Sequence, residues 1–304
     1  MSWDSHELGG RPLFVWAPED RSLSYATVYV LHSHLRSAQS WFNVDPFEET
    51  YPEAIARLAP DALVVLIDGW TKLGGGQWLG PLASYLRDEV VPFVDGSYPT
   101  NGLRGLQGKS SGAYGALVHA FERPDLFHAV AAHAPMARFE VTVARDFAPA
   151  ARALRERGLD SLPPVTELGS GDDVVFAELG SLAHAFSDGA LPFDVRTAEL
   201  VPEVWERWLA HDPVRLAAAR SDAVRSLRGV WLDAGRSDEY FLDLGVISLA
   251  DTLRACGLPD DALRFELFEG GHRGVSGRYP ESLAWLVGRL SINFDVGSAK
   301  PNLR

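Results

Sequence analysis

Leu106-Gln107-Gly108-Lys109-Ser110-Ser111-Gly112-Ala113-Tyr114-Gly115 is the stretch on which the fold of this chain turns. It holds Gly-x-Ser-x-Gly with Ser110 at its centre. Residues 104–107 read as a short buried strand, and residues 113–121 are small and apolar at helical spacing. Strand, sharp turn, helix is the context a nucleophile elbow requires. The glycines follow from that geometry. The serine at the tip sits in a strained backbone conformation, and strand and helix pass so close that a Cβ at Gly108 or Gly112 would clash. Two other readings compete. One is a glycine-rich helix start with Ser110 or Ser111 as N-cap. The other is a phosphate-binding loop ending in Gly108-Lys109-Ser110, but that motif needs glycine where Leu103 stands.

Working outward, the bulk numbers narrow the class. A chain of 304 residues with 46% hydrophobic content suits one large α/β domain that needs no staples. A net charge of −13 argues against nucleic acid as a partner, because little basic surface is left to displace counterions. The single cysteine, Cys256, permits no internal disulfide. The polar, acidic start lacks the basic and apolar regions of a signal peptide. No apolar run nears the roughly 20 residues that span a bilayer. The expectation is a cytoplasmic protein with no membrane partner.

Strands are expected at residues 11–17, 26–31, 61–67, 129–134, 229–232 and 263–268. The runs at 26–31, 61–67 and 129–134 are β-branched or mostly apolar, as buried strands are. Helices are expected between them, including an amphipathic one at 81–94 with Leu82, Tyr85, Leu86, Val90 and Phe93 on one side. The alternation predicts a mainly parallel central sheet with helices on both faces. It stops at residues 136–223, which carry breakers and aromatics such as Phe139, Phe147, Phe186, Trp205 and Trp208. We read the chain as one domain, 1–304, with 136–223 inserted as a cap or lid. The aromatics either wall a pocket or fasten the insertion down.

Ligands of such a sheet bind outside the carboxyl ends of its strands. The loops expected there carry His32 to Ser37, Ser110-Ser111, Asp233 to Glu239 and Glu269 to His272. Serine hydrolysis needs a hydroxyl nucleophile, an imidazole to shuttle its proton and a carboxylate to hold that imidazole. The order serine, aspartate, histidine along the chain is that of α/β-hydrolases. Asp233 and Asp238 compete for the acid. His32 and His34 have no cluster of further ligands beside them, so no metal is expected. They flank the expected pocket, and Asp68, Trp70 and Trp78 are candidates to line it.

The elbow and its continuation to Leu117 resemble the putative-esterase branch of the α/β-hydrolases, which includes S-formylglutathione hydrolase, enterochelin esterase, feruloyl esterases and the mycolyltransferases. The runs 89–95, 124–127 and 233–239 and the trio Gly270-Gly271-His272 add to the likeness, which spans roughly residues 11–290 but fits the insertion poorly. The resemblance implies an α/β-hydrolase fold and cleavage of a small-molecule ester or thioester through an acyl-enzyme, with no cofactor. It implies Ser110 as nucleophile, His272 as base and Asp238 as acid. It also implies backbone N–H groups of Ser111 and Leu35 as oxyanion donors. The chain departs from its relatives at His32-Ser33-His34-Leu35, where many have His-Gly, and at Lys109, where His is frequent. Lys109 is expected to face away from substrate. An acyltransferase on the same triad and a non-catalytic binding protein on the same fold are the alternatives.

Overall fold

A computed structural model describes residues 3–42, 49–169 and 173–291 of the chain. Eight strands form its sheet: β1 (Trp3–Leu8), β2 (Arg11–Trp16), β3 (Tyr25–Leu31), β4 (Ala62–Ile67), β5 (Thr100–Lys109), β6 (Ala129–His133), β7 (Gly229–Gly235) and β8 (Leu263–Phe268). Their spatial order is β1-β2-β4-β3-β5-β6-β7-β8. From β4 to β8 every neighbouring pair is parallel, while β2 joins β4 and β1 joins β2 antiparallel. The mainly parallel α/β fold predicted above is the fold observed.

The buried runs explain themselves by alternation. Tyr29, Leu31, Leu63, Val65 and Ile67 point into one apolar cluster, and Val28, Val30, Val64 and Leu66 into another on the opposite face. A strand covered on both faces has no polar side, so it reads as unbroken hydrophobicity. The first cluster is closed by the helix Ser111–Glu122, the second by the helix Tyr279–Arg289. β1 escaped the sequence reading. It is a sheet edge whose residues alternate between half-buried and exposed, so Trp-Asp-Ser-His-Glu-Leu shows no apolar run.

The helix expected at 81–94 is present but not uniform. It runs as α-helix over Pro81–Ser84, π-helix over Tyr85–Val90 and α-helix over Val91–Ser97. Pro92 has no N–H for the carbonyl four residues earlier, and its ring crowds that carbonyl; the wider π turn just before it relieves both.

Of the two roles open to the aromatics of residues 136–223, the structure shows fastening. Phe139 stacks on Phe186 at 5.7 Å and Phe147 on Phe193 at 4.8 Å. Tyr114 of the elbow helix sits 5.8 Å from Phe186, and its hydroxyl donates to the His211 carbonyl at 3.1 Å. These rings fasten the insertion to the sheet layer. Its wall over the strand ends is made instead by smaller and charged side chains, among them Thr142, Val143, Asp146, Glu178 and Leu182. Among the described residues, no helix is long and apolar enough to cross a membrane.

Candidate active site

β5 ends at Lys109 and the helix begins at Ser111, which leaves Ser110 to make the turn alone. Its backbone stands at φ 54°, ψ −121°, a region that non-glycine residues occupy only where surrounding structure enforces it. The enforcement is visible. The Ser110 N–H donates to the His133 carbonyl at 2.9 Å, and its own carbonyl accepts from the Tyr114 N–H at 2.8 Å. A Cβ at Gly108 would strike the Gly112 backbone, and one at Gly112 would strike the carbonyl of Leu31 at the end of β3. The two glycines therefore let the turn close and let the helix seat against the neighbouring strand.

Ser110 edges a cavity of about 490 Å³ whose lining also includes His272, Lys109, Arg36 and Leu35. His272 follows β8, and Asp238 follows β7. The imidazole Nδ1 lies 2.9 Å from Asp238 Oδ2. A carboxylate facing Nδ1 holds the proton there and leaves Nε2 as the acceptor that a serine hydroxyl requires. Asp238 is itself fixed by the Tyr240 N–H, which donates to Oδ1 at 2.9 Å. Ser110 and His272 face one space without a direct hydrogen bond between them. Nucleophile–base bonds are commonly long before substrate is bound and tighten in the Michaelis complex.

Glu239 was not singled out by sequence. Its carboxylate accepts the His272 N–H at 2.7 Å, and that bond holds its carboxyl below the usual range. A Cβ on Gly271 would meet the same carboxylate. Arg145 reaches in from the insertion, donates to the Glu239 carbonyl at 3.1 Å and lies over the Tyr240 ring at 5.1 Å. The insertion thus braces the loop that carries the acid. No local sequence signal marks Glu239 apart from its place beside Asp238.

Asp233 has a different fate. It is fully buried, and its Oδ1 receives His133 Nδ1 at 2.8 Å. Its Oδ2 receives Trp231 Nε1 at 2.8 Å and Arg278 Nε at 2.7 Å. Burial alone would raise its pKa; the His133, Arg278 and Trp231 contacts outweigh burial and hold it below the ordinary value. Every lone pair facing those donors is spent inside the protein, so Asp233 has none to offer His272.

The other pocket candidates separate. His34 lines the Ser110 cavity, and its Nε2 donates to the Leu73 carbonyl at 2.9 Å. His32 is buried. Its Nε2 accepts the Gly69 N–H at 2.7 Å, so Nδ1 carries the proton and donates to the Ser33 carbonyl at 2.8 Å. Asp68 is also buried, accepting the N–H groups of Ala38 and Trp70. Trp78 is sealed in the core against Gly69 and Gly115 and donates Nε1 to the His32 carbonyl at 3.2 Å. Trp70 lies on the surface, 47% exposed. His32, Asp68, Trp70 and Trp78 do not line the cavity of Ser110, contrary to expectation. Hydrogen bonds of Asp68 and Trp78 instead join the loops that follow β3 and β4.

Two further expectations change. Lys109 lines the Ser110 cavity rather than facing away from it. Leu35 has the left-handed backbone of a tight turn, φ 57°, but its N–H donates to the Gly74 carbonyl at 2.7 Å. That donor is occupied in this structure. Ser111 sits at the first turn of the elbow helix, where N–H groups have no intrahelical partner. Two carboxyls on the insertion side complete the cavity. Burial raises the Asp146 carboxyl to about 6 even though Arg145 lies 3.3 Å away, and burial raises Glu178 as well. Among the described residues, no group of three or more His, Cys, Asp or Glu converges as a metal site would need.

A family model described as Putative esterase matches residues 5–272. Among solved structures, a ferulic acid esterase aligns at TM-score 0.60 and 17% identity, over 95% of this chain and 98% of its own. An S-formylglutathione hydrolase from Agrobacterium tumefaciens aligns at TM-score 0.58 and 15% identity, over 95% of each chain. MPT51 of Mycobacterium tuberculosis aligns at TM-score 0.54 and 15% identity, over 95% of this chain and 98% of its own. At such identities the likeness is one of fold. No curated protein matches the chain.

Proposed function

The chain belongs to the Putative esterase family, which makes it a carboxylic ester hydrolase, and on that premise we propose that it works through an acyl-enzyme on Ser110. Ser110 Oγ attacks the ester or thioester carbonyl while His272 Nε2 takes its proton. The imidazolium, held by Asp238, then gives that proton to the leaving oxygen or sulfur. Water, activated by the same imidazole, releases the acid. The observation that carries this reading is the strained Ser110 turn opening on the one cavity that His272, tied to Asp238, also faces.

The tetrahedral oxyanion needs donors about 2.7–3.1 Å away. The Ser111 N–H is the first. The Leu35 N–H serves as the second once the oxyanion replaces the Gly74 carbonyl as its acceptor. A structure with a phosphonate on Ser110 tests both at once, since its oxygen should lie within hydrogen-bond reach of the two amides.

The direct test is covalent labelling. A fluorophosphonate should modify Ser110 in the native protein and not in Ser110→Ala, with loss of turnover on a short-chain nitrophenyl ester. Full activity in Ser110→Ala would end the proposal.

A further inference from the structure

Three cations surround Ser110 from three different strand ends: Arg36 after β3, Lys109 at the end of β5 and Arg273 after β8. All three line its cavity. Among the described residues, none of them has an ion-pair or side-chain hydrogen-bond partner. This is unusual in a chain with 41 acidic residues against 28 basic ones. Elsewhere arginines are matched, as Arg87 is with Glu122 at 2.6 Å and Arg278 with Glu266 at 2.6 Å. Here the three cations line one cavity. Burial and the charges of Arg36 and Arg273 push the Lys109 ammonium down, against the pull of Asp238 and Glu239. Those two carboxylates are already engaged, Asp238 by the imidazole and Glu239 by the His272 N–H. Arg36 and Arg273 are exposed and Lys109 is partly buried, so it is the Lys109 ammonium, held beside two like charges, that is unfavourable until an anion joins it.

The position of the cluster says which part of a substrate would carry that anion. His272 must protonate the leaving atom, so the leaving group lies beside it, and Arg273 is the next residue. Arg36 and Lys109 also line a second cavity of about 770 Å³, floored by the rings of Trp41, Tyr51 and Tyr279. The far wall of the Ser110 cavity, on the insertion, carries Glu178 and Asp146, the latter paired with Arg145 at 3.3 Å. The unpaired positive charge therefore lies on the first side.

We infer that the leaving group of the substrate bears an anionic substituent, a carboxylate or a phosphate, received by Lys109 and Arg36 with Arg273 beside them. Arginine forks suit such planar or tetrahedral oxyanions, and lysine adds a point charge. The inference rests on the esterase reading but can be separated from it.

The test uses acetates that differ only in the leaving group: 4-acetoxybenzoate, 4-acetoxyphenyl phosphate and the neutral 4-acetoxybenzamide. The native protein should prefer an anionic acetate over the amide in kcat/KM by about tenfold or more. Raising salt should erode that preference. Lys109→Met and Arg36→Met should each collapse the ratio more than they lower turnover of the amide. The carboxylate and phosphate arms say which anion fits. Equal kcat/KM for all three acetates, with no salt effect, would overturn the inference and leave the esterase standing. A preference instead for an anionic acyl part, as in mono-4-nitrophenyl succinate over 4-nitrophenyl butanoate, would also overturn it. If no acetate is turned over, yet Ser110→Ala binds 4-hydroxybenzoate in preference to 4-hydroxybenzamide, the anion site stands and the esterase reading falls.

Discussion

Asp238, His272 and Ser110 meet at an open cavity; Asp233, His133 and Ser282 meet in the sealed core a few residues away. The sealed set is the better connected. His133 Nδ1 lies 2.8 Å from Asp233, and His133 Nε2 lies 2.7 Å from the Ser282 hydroxyl. Gln107 donates to that hydroxyl at 2.7 Å and to the Tyr279 carbonyl at 2.8 Å. All three side chains are inaccessible to solvent. By hydrogen bonds alone, this would be the catalytic triad. What it lacks is a serine lifted into a strained turn, a space for a carbonyl, and free N–H groups beside that space. Ser282 lies within an ordinary helix, Tyr279–Arg289. The comparison teaches that connectivity alone does not make a serine, a histidine and an aspartate a site; access and backbone are needed too.

The sharpest way to break this comparison is to delete each serine. Ser110→Ala should lower kcat by on the order of 10⁴–10⁶ with little change in stability. If turnover survived there and vanished in Ser282→Ala, the roles would be reversed. Next come the acids. Asp238→Asn should cost about 10⁴ in kcat, because the amide no longer holds the imidazole in the right tautomer. Asp233→Asn should leave the chemistry nearly intact but destabilise the fold by about 3–5 kcal/mol, since Arg278 and His133 lose a buried anion. Urea melts alongside turnover would separate the two effects, and a milder melt for Asp233→Asn than for Asp238→Asn would contradict the assignment.

Ser282→Ala should be gentler, about 1–3 kcal/mol, from leaving His133 and Gln107 without their shared oxygen. Activity should stay within a few-fold. The smallest expected effect concerns the open cavity alone. The folded Asp146 carboxyl titrates near 6, above its ordinary value of 3.8. The folded state therefore binds the proton more tightly, and stability is lost as pH rises from about 4 through 6. Asp146→Asn should be more stable than the native protein above pH 6, by about 1–2 kcal/mol, and the gain should fade below pH 4. A stability difference independent of pH would show that Asp146 is not held in this way.

The fold was legible because its signals are local. Residues 62–67 are apolar throughout and 26–31 nearly so, and only a strand covered on both faces tolerates that. β1 was not legible, since an edge strand shares its faces with water. Ser110 and His272 could be picked as candidates from motif and order, while order left Asp233 and Asp238 open and the family resemblance favoured Asp238. Glu239, the occupied N–H of Leu35 and the cavity-facing Lys109 could not, because each depends on a neighbour far along the chain.

The amino-acid sequence by itself determined the elbow, since only glycine at 108 and 112 lets a strand and helix approach around a strained serine. The rest was decided when strands chose neighbours and register. His133 pairs opposite Asp233 across β6 and β7, and that alignment drew one aspartate into the core. The other lies beyond the strand, where the loop turns out towards His272. A period-two backbone sends adjacent residues to opposite places, and which place is inside is set by the sheet as a whole.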